Sequence, residues 1–321
     1  MENTHLNKPE SLNKPLVTVA MVTYNSAAYV EAAINSILAS SYTNFELLIA
    51  DDQSTDNTWD LIIKYQDTRI KAWRNGTNLG EYKNRNECIK LAKGEYFIFI
   101  DGDDILFEHG LSNYVYYAEK YPEAPLIIQK GYTNNVIFPI VLTARKIFEF
   151  EFFGNSLLTS SFVSNFFRTN ILKDEGGLSE IYRAGDNYIR YRLASKYPIL
   201  FISGWNSWHR ETPGQASVVI RNGVGLAEHF KLVKEFIKLK SIPLSLNESN
   251  YILNLYRYYL TRLLIKNRLK FNNKAFKKII AIAEFSINDY VFTKPKKPVN
   301  YTPNYSPGQP LSKLYDYHNR L

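Results

Sequence analysis

The sequence predicts an α/β fold, in which a mostly parallel sheet is flanked by helices on both faces and followed by a C-terminal helical extension. Between residues 16 and 100, short β-branched apolar runs alternate with segments of helical spacing. Residues 226–283 keep helical spacing apart from a break at Pro243. Alternating strands and helices are typical of parallel sheets, whose ligands bind beyond the carboxyl ends of the strands.

The individual elements follow from the same spacing. The continuous apolar run over residues 16–24 predicts a buried strand, and the apolar positions of residues 28–40 predict an amphipathic helix after it. Residues 105–165 have a looser pattern that predicts mixed strands and loops. Elsewhere the spacing predicts strands over 45–50, 70–74, 96–100 and 199–203, and helices over 59–65, 82–93 and 186–196.

Polar clusters follow three of the predicted strands at the point where each strand ends. They are Thr23-Tyr24-Asn25, Asp51-Asp52 and Asp101-Gly102-Asp103-Asp104. Because parallel strands end at the same edge of a sheet, we expect the three clusters to lie close together. The sequence contains no GxGxxG and no GxxxxGK[ST], so it lacks the backbone cradle of dinucleotide-binding and P-loop proteins.

The acidic cluster after the fourth strand suits a hard divalent cation. Asp101 and Asp103 are separated by one residue, and their like charges repel each other. A bound cation removes that repulsion, and oxygen ligands without a nearby His or Cys suit Mg²⁺ or Mn²⁺. The alternative is a solvated turn that follows a strand.

Positive charge is concentrated in the C-terminal third of the chain. The formal net charge is +8, but residues 227–321 alone carry 17 Lys or Arg against six Asp or Glu, which gives +11. A basic segment of this kind predicts an anionic partner, either nucleic acid or a membrane surface. No helix-turn-helix, RRM or zinc-finger signature accompanies the charge, so we expect no nucleic acid. The alternative is a packed helix pair with solvated lysines.

Cysteine content and hydropathy indicate the compartment. Cys88 is the single cysteine, which excludes an intramolecular disulfide and fits a reducing environment. The polar start of the chain lacks the apolar centre of a signal peptide, and no apolar run approaches the length of a membrane span. We therefore expect a cytoplasmic protein that can bind peripherally to the inner face of the membrane.

Three segments together resemble family 2 glycosyltransferases, which have the GT-A fold. The segments are VTVAMVTYNSAAYVEAAINSILASSYTNFELLIADDQSTDNT, NLGEYKNRNECIKLAKGEYFIFIDGDD and GGLSEIYRAGDNYIRYRLA, which occur in the family's order and spacing over residues 16–194. The resemblance implies an inverting, metal-dependent transfer of one sugar from a nucleotide donor, expected to be UDP-linked. It implies a glycan or glycolipid hydroxyl as acceptor, in the biosynthesis of cell-surface polysaccharide or glycoconjugates.

The resemblance also implies roles for individual residues. Tyr24 and Asp52 match the positions that hold the uracil ring, and Asp101 matches a position near the ribose. Asp103 matches the metal ligand that bridges to the diphosphate, and Asp186 matches the base that deprotonates the acceptor hydroxyl. The nucleotide-binding set predicted in this way is Thr23, Tyr24, Asn25, Asp52, Lys83, Arg85 and Asp101.

Several of these assignments have a simpler alternative. Lys83 and Arg85 could contact phosphate or could belong to a solvated helix face, and Asp186 could be only the N-cap of its helix. His209, in the segment 208–217 that resembles a loop closing over the donor, is either a metal or diphosphate ligand or a structural residue. Gly185 stands where the family has an acidic residue, which suggests a rival function as a catalytically silent nucleotide-sugar binding or scaffold subunit.

Missing motifs argue against two other functions. No QxxRW-type signature is present, so we expect addition of single sugars and not processive synthesis. A nucleotidyltransferase would need a Gly-rich phosphate loop, which is absent.

The domain organisation follows from the resemblance and from composition. We expect a disordered N-terminus over 1–14, a nucleotide-sugar-binding half over 15–105, an acceptor-binding and catalytic half over 106–225, a basic helical extension over 226–292 and a Pro/Tyr-rich tail over 293–321.

Overall fold

A computed structural model of the chain confirms the α/β fold with its mostly parallel sheet. It describes residues 14–131, 137–154, 156–181, 185–212, 224–269 and 273–298. Nearly all of the predicted disordered N-terminus, most of the Pro/Tyr-rich tail and the predicted loop after residue 212 lie outside the described residues. The predicted domain boundaries stay a prediction.

Eight strands of the described chain form one twisted sheet, and two further strands form a small antiparallel pair. The strands are β1 (Val17–Thr23), β2 (Phe45–Asp51), β3 (Ile70–Arg74), β4 (Tyr96–Phe99), β5 (Ile105–Leu106), β6 (Leu126–Lys130), β7 (Ile140–Leu142), β8 (Asn165–Arg168), β9 (Ile199–Ser203) and β10 (Ser207–Trp208). The large sheet has the order β3-β2-β1-β4-β8-β6-β9-β7, and β10 pairs with β5. The neighbours from β3 to β4 are parallel, and β8 and β7 run antiparallel to their partners.

Helices cover both faces of this sheet and form the C-terminal extension. They are α1 (Val30–Leu38), α2 (Thr58–Ile62), α3 (Glu81–Leu91), α4 (Gly110–Lys120), α5 (Ala144–Phe153), α6 (Thr169–Asp174), α7 (Gly185–Ala194), α8 (Val224–Phe236), α9 (Leu246–Leu269) and α10 (Asn273–Ala283). In the described part of the chain, no helix combines the length and the apolar character that a membrane span needs.

The prediction of mixed strands and loops over residues 105–165 is wrong for α4 and α5. Helix α4 buries Leu111, Tyr114, Val115 and Ala118 along one face, but its other tyrosines obscure the apolar period in the sequence. Helix α5 contains the segment FEFEFF, whose alternation of phenylalanine and glutamate has the period of a strand. Tertiary packing, which buries Ile147 and Phe148 together, favours the helix.

Strand β4 shows why the sheet is apolar on both sides. Phe97 and Phe99 pack into the core that includes residues of α3, α5 and α7, whereas Tyr96 and Ile98 pack into the core that includes residues of α1 and α4. Successive side chains of a strand point to opposite faces, so a strand covered on both faces is apolar throughout. This accounts for the continuous apolar runs that end in the polar clusters.

The helical extension has a core of its own and is joined to the sheet domain by shared apolar packing, which includes Val233, Phe236 and Ile252, and by an ion pair. Phe230, Leu260, Leu264 and Ile279 are buried together between α8, α9 and α10. Arg145 of α5 bonds both carboxylate oxygens of Glu248 in α9, at 2.6 and 2.9 Å. The ion pair therefore adds a polar contact at the first turn of α9 to the apolar packing between the extension and the sheet domain.

Candidate active site

The loops after β1 and β2 form one connected turn structure at the carboxyl edge of the sheet. Thr23 Oγ1 donates to Asp51 Oδ1 at 3.0 Å, and the Ser54 hydroxyl donates to the same oxygen at 2.5 Å. Asn25, in the left-handed region at φ 52°, accepts the Thr55 N–H at 2.8 Å through its side-chain oxygen. Thr23 and Asn25, both predicted to bind nucleotide, therefore hold the shape of this loop.

Tyr24 lies between these two residues, and its side chain faces solvent. It is 52% exposed, although Thr23 before it is buried. An exposed ring on a fixed backbone can stack against the face of a nucleobase. The geometry is compatible with the predicted role of Tyr24, which stays a prediction.

Asp52 clamps the turn that precedes α3. Its carboxylate accepts the backbone N–H groups of Leu79 at 2.8 Å and Gly80 at 2.9 Å, and the side-chain amide of Asn75 at 2.8 Å. Gly80 has a φ of 85°, a conformation that favours glycine. A carboxylate can accept about four hydrogen bonds, and three N–H donors already bond Asp52. The predicted bond to a uracil imide would use the remaining acceptor site.

Arg85 of α3 holds Asp101 at the end of β4. Arg85 is buried, and its two terminal nitrogens bond the two oxygens of Asp101 at 2.6 and 2.7 Å. The pKa of Arg85 is raised, because the charge and hydrogen bonds of Asp101 outweigh the lowering effect of burial. The guanidinium also stacks between Phe99 and Phe162, at 5.1 and 5.0 Å from the ring centres.

Lys83 and Arg85 lie on different sides of α3. Two residues along a helix correspond to a rotation of about 200°. Lys83 is exposed, whereas Arg85 points into the core toward Asp101. The geometry gives Arg85 the task of positioning Asp101, and the predicted phosphate contacts of both residues stay predictions.

The segment that follows β10 lies against Asp103 and Asp104. Asp104 is buried, and its Oδ1 lies 3.1 Å from His209 Nδ1 and accepts the N–H of Arg210 at 3.0 Å. Loss of hydration raises the pKa of Asp104 to about 6. Thr212 donates its hydroxyl to Asp103 Oδ2 at 3.1 Å. His209 is thus a hydrogen-bond partner of Asp104, and its predicted role as a metal ligand stays a prediction.

The donor set fits a cation that is shared with a substrate better than one held by protein alone. Within the described residues, no three His, Cys, Asp or Glu side chains are grouped so that they could hold a metal. Arg85 engages Asp101, and His209 engages Asp104. The pKa of Asp103 is raised by burial and by the charge of Asp101, so a cation there would relieve an unfavourable charge. Mg²⁺ typically takes one or two carboxylates together with phosphate oxygens.

Asp186 lies in the first turn of α7 and is paired with a buried arginine. Arg190, one turn later, donates to Asp186 Oδ2 and also to the carbonyl oxygen of Ser160 at 2.9 Å. The side chain of Asp186 is 26% exposed, whereas that of Arg190 is 1% exposed. Helix α7 begins at Gly185, so Asp186 lies inside the helix and not at its N-cap.

Gly185 lies close to the neighbouring α3 and to the backbone of residue 179. A Cβ on Gly185 would lie 2.9 Å from two ring carbons of Tyr82 and 2.8 Å from the backbone oxygen of Ser179. Such distances leave no room for a side chain. The ring of Tyr82 in α3 and the backbone oxygen of Ser179 therefore fill the space next to Gly185.

The sequence analysis assigned no individual role to several residues that position the candidate site, although it named Asp104 as a member of the acidic cluster. They are Asp104, Arg190 and Arg210. The spacing of Asp186 and Arg190 by four residues on a predicted helix was a usable signal, because such residues are neighbours on the helix surface. The bond from Arg210 Nε to the backbone oxygen of Asp103, at 2.8 Å, crosses more than 100 residues and had no sequence signal.

Comparison with known proteins adds a family match and partial relatives. The family model described as glycosyl transferase family 2 matches residues 18–174. The chain is 38% identical over 104 residues to the Escherichia coli UDP-Glc:alpha-D-GlcNAc-diphosphoundecaprenol beta-1,3-glucosyltransferase WfaP. It is 28% identical over 161 residues to the Staphylococcus aureus poly(ribitol-phosphate) beta-N-acetylglucosaminyltransferase TarS. These matches cover 32% and 49% of this chain but only 41% and 28% of the relatives.

Solved structures support the fold over most of the chain. The S. aureus TarS fragment 1-349 in complex with UDP-GlcNAc matches with a TM-score of 0.58 and 19% identity, and covers 86% of this chain and 93% of its own. The mannosyltransferase PcManGT from Pyrobaculum calidifontis, in complex with GDP-Man and Mn²⁺, matches with a TM-score of 0.58, 18% identity and coverages of 88% and 81%. At this level of identity the likeness establishes the GT-A fold alone.

Proposed function

Because this chain belongs to glycosyl transferase family 2 through residues 18–174, we propose that it transfers one sugar from a nucleotide donor to a hydroxyl group, with inversion at the anomeric carbon. The observation that carries the proposal is that the first half of α3 contacts both parts of the site, the loop with Asp101 and Asp103 and the start of α7 with Asp186. Arg85 of α3 holds Asp101, beside the cation-suited Asp103, and Tyr82 of α3 packs on Gly185, beside Asp186.

The donor is a UDP-linked sugar in this proposal. The exposed ring of Tyr24 would stack on the base, and the Asp52 carboxylate, which also holds the turn before α3, would accept from the imide N–H. WfaP is named for a UDP-glucose donor, and the TarS fragment was solved with UDP-GlcNAc. PcManGT was solved with GDP-Man. Preferential binding of a guanine nucleotide would therefore contradict the UDP-linked donor.

Asp186 acts as the base in a single displacement. Its carboxylate takes the proton of the acceptor hydroxyl while that oxygen forms a bond to the anomeric carbon from the face opposite the diphosphate. The bond between the anomeric carbon and the diphosphate oxygen breaks, and its electron pair leaves with the diphosphate. Arg190 keeps the Asp186 carboxylate oriented through the ion pair described above.

Asp103 would hold the Mn²⁺ or Mg²⁺ ion, with His209 as a further candidate ligand, and the bound ion would neutralise charge on the leaving diphosphate. Thr212 bonds the Asp103 carboxylate, and Arg210 bonds its backbone oxygen. Both contacts fix the orientation of Asp103 toward the donor. The same segment would come close to the diphosphate.

We propose a glycan or lipid-linked glycan as the acceptor, in the biosynthesis of a cell-surface polymer. WfaP is named for a diphosphoundecaprenol-linked acceptor, and TarS is named for poly(ribitol-phosphate). The surface of α9 fits such an acceptor, because exposed Ile265 and Leu269 alternate there with exposed Arg262 and Lys266. Apolar and basic side chains on one helix surface are typical of contact with anionic lipid headgroups.

Vesicle sedimentation tests the membrane part of the proposal. The full chain should sediment with phosphatidylglycerol vesicles but not with phosphatidylcholine vesicles, and the double variant Arg262→Gln/Lys266→Gln should sediment less. Lys64→Gln, at an exposed position after α2, is the matched control and should sediment like the wild type. Equal binding by the double variant and the control would remove the α9 surface from the proposal.

A catalytically silent nucleotide-sugar binding or scaffold subunit is the second candidate. Gly185 favours it, because the acidic pair of the family is incomplete here and Asp186 is engaged by Arg190. Turnover separates the two candidates, since a binding subunit would take up the donor without consuming it.

Thermal unfolding with a panel of nucleotide sugars tests the donor site. A ligand that binds the folded chain raises its midpoint temperature by mass action. We expect a shift with a UDP-sugar only when Mn²⁺ is present, and no shift in Asp103→Ala under the same conditions. A metal-independent shift of equal size in the wild type and Asp103→Ala would contradict the assigned role of Asp103.

A further inference from the structure

Glu81 opens helix α3 inside the proposed active site, at a position fixed from both sides. The residues before it are held by Asp52, which accepts the N–H groups of Leu79 and Gly80 at 2.8 and 2.9 Å. One helical turn later, Arg85 Nη2 lies 3.5 Å from Glu81 Oε1. The side chain of Glu81 is 47% exposed, so its carboxylate contacts Arg85 and is also accessible to solvent.

The contacts of Glu81 and its neighbour Tyr82 place Glu81 between the two ends of the site. Loss of hydration is the main cause that raises the pKa of Glu81, and Asp101 and Asp186 both raise it further, whereas Arg85 lowers it. The contacts agree with this: Arg85 lies 3.5 Å from Glu81 and bonds Asp101 at 2.6 Å, and Tyr82, next to Glu81, packs against Gly185, next to Asp186. The transferred sugar would occupy the space between the two ends, because its diphosphate is bound near Asp103 and its anomeric carbon faces Asp186.

The contacts of Tyr82 explain why a carboxylate would come from α3 in this chain. A Cβ on Gly185 would lie 2.9 Å from the ring of Tyr82, so α7 cannot present an acidic side chain beside Asp186. The residue before Tyr82 is Glu81. The first turn of α3 therefore leaves no space for a carboxylate at position 185, and the same turn carries the carboxylate of Glu81.

We propose that Glu81 is a substrate-binding residue whose carboxylate accepts hydrogen bonds from hydroxyl groups of the sugar being transferred. This assignment rests on the proposed function. Sugar hydroxyls donate to an ionised carboxylate through charge-assisted bonds, which are about twice as strong as neutral ones. Arg85, one turn later on the same helix, orients the carboxylate through the contact at 3.5 Å. Glu81 thus holds the sugar while Asp186 takes the acceptor proton.

Isothermal titration of the full chain tests the assignment without requiring turnover. The ligands are UDP, UDP-glucose and UDP-GlcNAc, each with Mn²⁺, and the variants are Glu81→Gln and Glu81→Asp. The matched control is Glu87→Gln on the same helix, where Glu87 is paired with exposed Lys90 at 2.7 Å. UDP serves as the internal check that each variant is folded, because it contains every part of the donor except the sugar.

We expect UDP to bind all four proteins with dissociation constants within about twofold of each other. The dissociation constant of the preferred sugar nucleotide should rise about tenfold in Glu81→Gln, equivalent to one lost charge-assisted bond, and Glu81→Asp should recover part of that loss. Equal sugar-nucleotide affinity in Glu81→Gln and Glu87→Gln would overturn the assigned role of Glu81 but would leave the proposed function intact. A wild-type chain that binds neither UDP nor a sugar nucleotide would overturn the proposed function and this assignment with it.

Discussion

Arg85 and Asp101 form a two-point ion pair, with nitrogen-to-oxygen distances of 2.6 and 2.7 Å, between the first half of α3 and the end of β4. The arginine is buried, so the pair is part of the fold as well as part of the candidate site. Asp103, two residues along the same loop, has instead a raised pKa from burial and from the charge of Asp101. Asp101 and Asp103 therefore contribute oppositely to stability.

Asp101→Asn should destabilise the ligand-free chain, whereas Asp103→Asn should leave its stability unchanged or increase it slightly. Removing the charge of Asp101 leaves Arg85 buried without its counter-ion, at a cost of about 2–4 kcal/mol. Removing the charge of Asp103 relieves a repulsion. Urea unfolding without metal or nucleotide measures both variants, and equal losses in the two would contradict the assigned division of roles.

Asp52→Asn should loosen the turn before α3. The amide can accept through one oxygen only, so one of the N–H groups of Leu79 and Gly80 loses its partner, at a cost of about 1–3 kcal/mol. Asp60→Asn, at an exposed position of α2, is the matched control and should change the free energy of unfolding by less than about 0.5 kcal/mol. Hydrogen exchange of the Leu79 and Gly80 amides provides a local measurement, and unchanged protection in Asp52→Asn would count against the clamp.

Gly185→Ala should destabilise the chain although alanine is the better helix former. The new methyl group would lie 2.9 Å from the ring of Tyr82 and 2.8 Å from the Ser179 oxygen, and such overpacking costs about 1–3 kcal/mol. Gly76→Ala is the control, because a Cβ there meets nothing within 4 Å. The unfolding midpoint of Gly185→Ala should lie below that of Gly76→Ala. A Gly185→Ala variant as stable as the wild type would contradict the predicted steric conflict with Tyr82 and Ser179.

The ion pair between Arg145 and Glu248 should make the attachment of α9 depend on pH. The hydrogen bonds of Arg145 lower the pKa of Glu248 to about 2, below its ordinary value of 4.5. A carboxyl whose pKa is lowered by folding stabilises the fold fully above its unfolded pKa, and this contribution is lost as the pH falls toward the folded value.

Comparison of the wild type with Glu248→Gln isolates that contribution. The wild type should be more stable by about 1–2 kcal/mol at pH 7, after discounting for the partial exposure of Arg145, and the difference should shrink between pH 5 and pH 2. Glu123→Gln, at an exposed position, should show no such trend. A difference that is independent of pH would contradict the ion pair.

The regular elements of the sheet domain could be predicted because their signals are local. The bounds of β3 and β9 agree with the predicted ones: β9 is a short apolar run, and β3 alternates apolar Ile70 and Ala72 with basic Lys71 and Arg74 apart from Trp73. The predicted helix over 59–65 extends too far, because after Ile62 the chain tightens into turns with bonds from Lys64 and Tyr65 to residues three positions back. Helix ends of this kind depend on backbone geometry that spacing does not encode.

The candidate site could be placed at an edge of the sheet, but its internal pairing could not be predicted. The parallel arrangement of β1, β2 and β4 places Tyr24, Asp52 and Asp101 at one edge. Whether Arg85 faces a phosphate or Asp101 depends on the rotation of α3 against β4, which tertiary packing determines. The closure of the acidic cluster by His209 and Arg210 likewise depends on the path of the chain between β5 and β10.

The central claim is that Asp186 is the base of a sugar transfer, and turnover of the Asp186→Asn variant tests it most directly. Release of nucleotide from the donor preferred in the binding panel should be measured for the wild type, Asp186→Asn and the control Asp174→Asn, an exposed aspartate at the end of α6. The account predicts turnover by the wild type and the control, and a loss of about 100-fold or more in Asp186→Asn with nucleotide binding retained. Equal turnover by Asp186→Asn and the wild type, or donor binding by the wild type without turnover, would contradict it.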